Sequence, residues 1–229
     1  MNRFDGFPKD CIPFLTRLQQ NNERTWFEEN KQGYEAEVRE PALAFIESMA
    51  SELQAISPYF RAIAKKTGGS LMRVYRDTRF TRDKTPYKTN IGIHFRHQAG
   101  KDVHAPGFYV HVESGRCFVG AGIWRPDSGS LSRLRDFILD NPASWTAAKM
   151  HRPFKTNFQL EGESLKRPPR AYPADHPLIE DLKRKDFIAR CNFHDSEINK
   201  KGFCKFVAGR FKQADPFMSY LCTALELEY

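Results

Sequence analysis

The stretch RDTRFTRDKTPYKTN, residues 76–90, concentrates the side chains of this sequence that are best suited to binding an anion. Five cations fall within thirteen positions, with only Asp77 and Asp83 among them: Arg76, Arg79, Arg82, Lys84 and Lys88. Because like charges held close together repel each other, a negative ligand should be needed to stabilise such a group. Arginine can bind a phosphate or carboxylate through two parallel hydrogen bonds, and lysine adds a compact charge. We therefore predict a phosphate- or carboxylate-binding site here, to which Tyr87 adds a hydroxyl or a ring face.

The positive charge of the chain is confined to the region around this stretch. The 229 residues include 36 Lys and Arg and 28 Asp and Glu, for a net charge of +8. Residues 61–101 contain eleven of these basic residues and two of the acidic ones, so this segment carries +9 and the rest of the chain −1. A nucleic-acid-binding surface usually draws basic residues from many segments. The distribution favours one local site for a small anionic molecule, in an enzyme or a binding protein.

Three other interpretations of the basic stretch stay open. It could be a structural loop with ion pairs between Arg76 and Asp77 and between Arg82 and Asp83. It could bind nucleic acid, with bases stacked on aromatic rings; the rings available for this are Tyr87, Tyr109, Phe118 and Trp124. It could also dock an acidic protein partner.

A second group of chemically useful side chains follows three predicted strands at 91–97, 107–113 and 117–124. Alternation along these strands places apolar residues on one face and polar, aromatic and glycine residues on the other. The second face supplies the candidate pocket lining: His94, Tyr109, His111 and Trp124. Either histidine could serve as a general base, because imidazole titrates near neutral pH. No metal site is predicted, since the histidines lack the spacing of known ligand motifs.

None of the remaining motifs identifies a cofactor, which stays unknown. KTGGS, residues 66–70, lacks the full phosphate-loop pattern. The five cysteines are odd in number and contain no C-x-x-C pair, which favours reduced thiols. There is neither a long apolar run nor an apolar signal-peptide core, so we expect a cytoplasmic protein without membrane partners.

The elements that position these residues indicate an α+β fold. Apolar residues at helical spacing fill the first sixty positions, with Asn22 as an expected N-cap, and a long helix is expected from about Glu197. LMRVYRD, residues 71–77, is a further strand candidate. Between the helical regions, an antiparallel β-meander over about 91–124 should pack against helices from both chain ends. If Ser114 and Gly115 form a tight turn, Tyr109 lies opposite Gly120 and His111 opposite Phe118. We expect a single domain over residues 1–229.

Several long blocks carry a family resemblance: LQQNNERTWFEENKQGYEAEVREP, RDTRFTRDKTPYKTNIG, GFYVHV with VGAGIWRP, and LKRPPRAYPADHP with LKRKDF. With these blocks the chain resembles the uncharacterised bacterial and fungal family called domain of unknown function 2461. The resemblance covers nearly the whole chain, and the block around residues 76–92 is the most specific. It implies that the blocks belong to one domain and implies no activity, cofactor or catalytic residue.

Overall fold

The computed structural model describes residues 4–100 and 104–229, so Lys101 of the basic segment lies outside the described residues. The strands are β1 (Ile91–Arg96), β2 (Gly107–Val112), β3 (Cys117–Ile123), β4 (Gln159–Glu161) and β5 (Phe187–Phe193). The N-terminal helices are α1 (Cys11–Gln20), α2 (Arg24–Glu29), α3 (Lys31–Tyr34) and α4 (Glu40–Ile56). The later helices are α5 (Ser128–Asp140), α6 (Pro142–Met150), α7 (Arg152–Asn157), α8 (Ile179–Leu182), α9 (Phe203–Gln213) and α10 (Asp215–Ala224).

The five strands form one antiparallel sheet in the order β1-β2-β3-β5-β4. The predicted meander is confirmed as β1, β2 and β3, and the fold is α+β. The predicted register is also confirmed: Tyr109 pairs with Gly120 and His111 with Phe118. Ser114 and Gly115 form the turn between β2 and β3, with Gly115 at a φ of +70°.

The apolar face of the sheet packs against helices from both ends of the chain, as predicted. Phe45 of α4 meets Phe95 of β1 with ring centroids 6.4 Å apart. From the other end of the chain, Phe211 of α9 stacks on Phe108 of β2 at 4.6 Å. The buried side chains form one continuous hydrophobic cluster around these contacts. Aromatic rings bury large apolar areas, so they supply much of the stabilisation of this layer.

Two of the helical predictions are wrong in detail. Asn22 does not cap a helix, since α2 begins at Arg24 after Glu23. The expected long C-terminal helix is two helices, α9 and α10, that meet at Ala214. Pro216 lies in the first turn of α10, where its missing N–H leaves no helical bond unmade but prevents continuation from α9.

A proline also marks the start of α4. The helix is widened to a π-helical turn over Glu35–Arg39 just before Pro41. Proline cannot donate to the preceding turn, and a π-turn is one way in which a continuous helix accommodates this. In the described ranges, no helix is both long and apolar enough to cross a membrane.

Candidate functional site

The basic stretch forms the outer part of an extended hairpin, residues 70–90, which we call the basic arm. Its base runs along β1, where the N–H of Met72 donates to the carbonyl of Gly92 at 2.9 Å. Farther out, the N–H of Arg76 donates to Pro86 and that of Lys88 to Val74, at 2.8 and 2.7 Å. The predicted strand over residues 71–77 is therefore an irregular edge segment held by isolated bridges rather than a regular strand.

Ion pairs close the tip of the basic arm. The Arg79 guanidinium donates to both carboxylate oxygens of Asp77, at 3.0 and 2.7 Å. Arg76 reaches across the arm to Asp83 and to the hydroxyl of Thr85. The pairs thus differ from those expected from the sequence, 76 with 77 and 82 with 83, because the hairpin places residue 76 opposite residues 83–86. The hydrogen bonds that Asp77 accepts from Arg79 lower the pKa of this carboxyl group.

Asp83 is fixed by the backbone on the other side of the tip. It accepts hydrogen bonds from the N–H and hydroxyl of Thr85, at 3.0 and 2.8 Å. These bonds, with that from Arg76, lower the pKa of Asp83 to about 2. The carboxylate therefore stays ionised at neutral pH and compensates part of the local positive charge.

The remaining cations of the tip point elsewhere. Lys84 donates to the carbonyl of Thr78 at 2.8 Å, and Arg82 is exposed without a carboxylate partner in the described part of the chain. Phe80 stands at the apex with 94% of its surface exposed, and the guanidinium of Arg79 lies over its ring. A single exposed apolar ring is common on protein surfaces, so the exposure of Phe80 is informative only together with the cations around it.

Asn22 clamps the inner end of the arm to the helical layer. Its side chain accepts from the N–H of Tyr87 at 3.0 Å and donates to the carbonyl of the same residue at 2.9 Å. The Tyr87 ring is 3% exposed and stacks on Phe27 of α2 at 4.0 Å. Tyr87 therefore anchors the arm, and its ring face is not available to a ligand.

An open space of about 350 Å³ lies between the end of α1 and the basic arm, and we call it the cleft. Its walls are Gln19 at the end of α1, Asn22, and, from the arm, Arg76, Asp83, Thr85 and residues 87–90. Of the sequence-predicted anion-binding residues, the structure places Arg76, Tyr87 and Lys88 in these walls. Arg79, Arg82 and Lys84 lie farther out on the tip, outside the walls of the cleft.

Lys88 differs from the other cations in its surroundings. Its side chain is partly buried in the cleft wall, and its ammonium group has no hydrogen-bond partner among the residues described. Burial, with a smaller contribution from the charge of Arg73, lowers the pKa of Lys88. Both effects disfavour a positive charge at this position, and a bound anion would offset both.

A polar cluster adjoins the inner end of the cleft. Thr89, in the cleft wall, donates to one oxygen of Glu113 at 3.2 Å, and the other oxygen lies 3.1 Å from Nε2 of His111. Nδ1 of His111 is 3.3 Å from the Tyr109 hydroxyl and 3.4 Å from the amide nitrogen of Asn90. Burial lowers the pKa of His111, although Glu113 acts in the opposite direction. The imidazole is therefore neutral near pH 7, donating from Nε2 and accepting at Nδ1.

The other candidate lining residues are spread along the sheet. His94 lies over Gly107 and its ring centroid is 6.5 Å from that of Tyr109. Trp124 follows the far end of β3, six residues beyond Phe118, and its ring stacks on His104 at 5.8 Å. Six residues of strand span about 20 Å, so Trp124 and His111 do not share a site.

The open face of the sheet leaves less room than its glycines indicate. A Cβ atom at Gly92 would lie 2.6 Å from the Tyr109 hydroxyl and 3.1 Å from the Met72 sulfur. At Gly107 the space is taken by the His94 ring. The Phe118 ring stacks on the His111 ring at 4.6 Å, and the guanidinium of Arg190 lies over it at 4.8 Å.

Sequence reasoning missed the residues that complete the cleft. Gln19, Asn22 and Asn90 are amides in separate segments, and no local pattern relates positions 65 residues apart such as Asn22 and Tyr87. Glu113 carries no sequence signal of its own beyond its place two residues after His111. Within residues 4–100 and 104–229, no group of three or more His, Cys, Asp or Glu side chains could hold a metal ion.

Comparison with known protein families identifies a relationship over most of the chain. The family described as "Conserved hypothetical protein (DUF2461)" matches residues 10–220, which include the basic arm, all five strands and the cleft. No curated protein and no solved structure is similar enough to match this chain. The family match extends over more than nine-tenths of the sequence, and the chain therefore belongs to the DUF2461 family.

Proposed function

We propose that this protein binds a small molecule bearing a phosphate or carboxylate group in the cleft between α1 and the basic arm. The observation that carries the proposal is Lys88, a partly buried cation without a hydrogen-bond partner among the described residues. A partly buried charge that is neither paired nor hydrogen-bonded is unfavourable, and binding an anion would remove this penalty. Arg76 supplies a second cation to the same wall, already oriented by Asp83 and Thr85.

The surroundings of the aromatic rings favour a small molecule over nucleic acid. Tyr87 is buried against Phe27, and Phe118 contacts the His111 ring and the guanidinium of Arg190. Base stacking needs an accessible ring face, which the buried Tyr87 does not offer, and the exposed ring of Phe80 stands at the apex of the arm, outside the cleft. The charge of −1 outside residues 61–101 also fits a local site better than a long phosphate backbone.

The polar cluster beside the cleft is the part of the site suited to proton transfer. Neutral His111 could accept a proton and Glu113 would stabilise the resulting imidazolium. Both imidazole nitrogens, however, already have side-chain partners at 3.1 to 3.4 Å. These contacts fix the orientation of the ring, and His111 and Glu113 are the residues to test for turnover.

We also expect the protein to act in the cytoplasm. All five cysteines are free thiols, four of them buried. Burial raises the pKa of each thiol, which favours the neutral and less reactive form of all five cysteines.

The anion proposal predicts a specific thermal response. Phosphate or sulfate should raise the melting temperature more than chloride at equal ionic strength. At about 100 times its dissociation constant a ligand adds about 2.7 kcal/mol to the free energy of unfolding, which is roughly 5–10 °C for a chain of this length. Lys88→Met should abolish the response and, without ligand, should be no less stable than the wild type, because a partly buried unpaired charge has been removed.

Lys84→Met is the matched control, since it removes a cation four residues away that lies outside the cleft. It should keep the full response to phosphate, measured by differential scanning fluorimetry. Equal responses to phosphate and chloride, or equal losses in the two variants, would contradict the proposal.

The exposed apex of the arm favours a second candidate function, docking to an acidic protein. Phe80 is 94% exposed, and its neighbours Arg79 and Arg82 are exposed cations. Aromatic and arginine side chains are the residue types that contribute most to protein interfaces. Ion pairs join residues of the tip, Arg79 with Asp77 and Arg76 with Asp83, and restricting a loop in this way reduces the entropy lost on binding.

This candidate predicts that an acidic partner captured by the wild-type protein is lost with Phe80→Ser and weakened by added salt. Lys88→Met should capture the same partner, because Lys88 lies in the cleft and not at the apex. Comparing the three captured samples by mass spectrometry tests this. Identical sets of proteins from the wild type and Phe80→Ser would exclude the apex as a docking element.

A further inference from the structure

We propose that the ligand of the cleft is a phosphorylated sugar or polyol with one phosphate group; this inference rests on the anion-binding function proposed above. The charges of the walls determine how many phosphate groups the ligand can carry. Arg76 and Lys88 are opposed by Asp83, so the cleft carries a net charge of +1. One phosphate, with a charge of about −1.5 to −2, exceeds this charge by about one unit or less. A polyphosphate would leave several negative charges facing the Asp83 carboxylate.

The uncharged side chains of the walls suit hydroxyl groups. Gln19 has no hydrogen-bond partner among the described residues, so its amide can both donate and accept. Asn90 uses its amide nitrogen toward His111, which leaves its carbonyl oxygen as an acceptor. A hydroxyl is both donor and acceptor, so it can satisfy such a mixture, whereas a second anionic group could not use the acceptors.

The orientation of the ligand follows from α1. This helix ends at Gln20, and a helix C-terminus carries a partial negative charge. The phosphate is therefore placed at the opposite side of the cleft, by Lys88 and Arg76, and the hydroxyl groups near Gln19.

The walls also argue against a nucleotide. The one aromatic residue among them is Tyr87, whose ring is buried on Phe27. A nucleobase would find no ring face and no apolar side chain to cover its own faces. The volume of about 350 Å³ is at the lower end of the range for ligand pockets, which fits a molecule of the size of a sugar phosphate.

The test is isothermal titration of the full chain, at pH 7.5 and fixed ionic strength, with four probes: inorganic phosphate, glycerol 3-phosphate, glucose 6-phosphate and adenosine monophosphate. At least one of the two hydroxyl-bearing phosphates should bind about ten-fold more tightly than inorganic phosphate, equivalent to about 1.4 kcal/mol. Adenosine monophosphate, whose base finds no ring to stack on, should bind less tightly than the better of the two hydroxyl-bearing phosphates. Gln19→Leu should remove most of the ten-fold preference, measured as the ratio of the dissociation constants for inorganic phosphate and for the polyol phosphate in the same variant.

Gln20→Leu is the control, because it makes the same change at the next, exposed position outside the cleft. It should leave all four affinities unchanged. If inorganic phosphate binds but the polyol phosphates bind no better, or if the nucleotide binds best, the ligand class is wrong and the anion-binding function stands. If none of the four binds, both proposals fail together.

Discussion

Replacing Gly122 with alanine is expected to lower the free energy of unfolding by about 3 kcal/mol or more, a large effect for the addition of one methyl group. Gly122 lies in β3 with a φ of +128°, which side-chain-bearing residues rarely adopt. A Cβ atom there would lie 2.0 Å from the carbonyl oxygen of Phe187 and 2.9 Å from the Cα of Ile188. Both atoms belong to the backbone of β5, so β3 and β5 would have to separate. Backbone strain alone contributes about 1–3 kcal/mol, and the clash adds to it.

Gly120→Ala is the matched comparison in the same strand. The φ of Gly120 is not positive, and a Cβ atom at this position would have the Cβ of Tyr109 as its nearest neighbour, at an ordinary contact distance of 3.5 Å. This variant should stay within about 1 kcal/mol of the wild type. Guanidinium unfolding of the three proteins measures the difference; failure of Gly122→Ala to fold under conditions where Gly120→Ala folds would be the same result. Equal stability of the two variants would show that β3 and β5 pack less closely at this point than described.

The second large effect is a loss of stability in mild acid caused by His94. Burial, and then the charge of Arg96, lower the pKa of His94 to about 4 from its ordinary value of 6.5. Below pH 6.5 the unfolded chain binds a proton at this residue that the folded chain does not bind until about pH 4. The stability that the neutral His94 ring contributes to the fold is therefore fully present above pH 6.5, falls as the pH decreases toward 4, and stays lost below that. The free energy of unfolding is lower by about 2 kcal/mol at pH 5 and by about 3 kcal/mol at pH 4.

The measurement compares the free energy of unfolding of the wild type and His94→Gln at pH 7.5 and pH 5. The loss on acidification should be about 2 kcal/mol smaller in the variant. His111 contributes in the same direction in both proteins, since burial lowers its pKa too, so it cancels in the comparison. An NMR titration that found the His94 ring protonated at pH 6 in the folded protein would contradict the assignment.

Local sequence determined the meander and its register. Alternation with period two assigned the faces of β1, β2 and β3, and the Ser114–Gly115 turn then left one way to pair Tyr109 with β3. Both signals lie within about ten residues of each other, so no long-range information was needed. The helices at the chain ends were predicted for the same reason, since a 3.6-residue period is a local property.

The site depended on contacts between distant segments. The sequence identified residues 76–90 as the place with excess positive charge, but it could not separate Lys88 and Arg76, in the cleft, from Arg79, Arg82 and Lys84, on the tip. That division is made by the hairpin, which brings Arg76 to Asp83, and by Asn22, which holds Tyr87 from 65 residues away.

The glycines of the open face show the same division between composition and packing. The sequence determined that glycine stands at positions 92, 107, 120 and 122, and alternation assigned three of them to this face. Tertiary structure decided that the Tyr109 hydroxyl and the His94 ring fill the space at Gly92 and Gly107, and that Gly122 is needed for the approach of another strand. A glycine in a sequence marks the absence of a side chain; which neighbour uses the space depends on packing between segments that the local pattern does not contain.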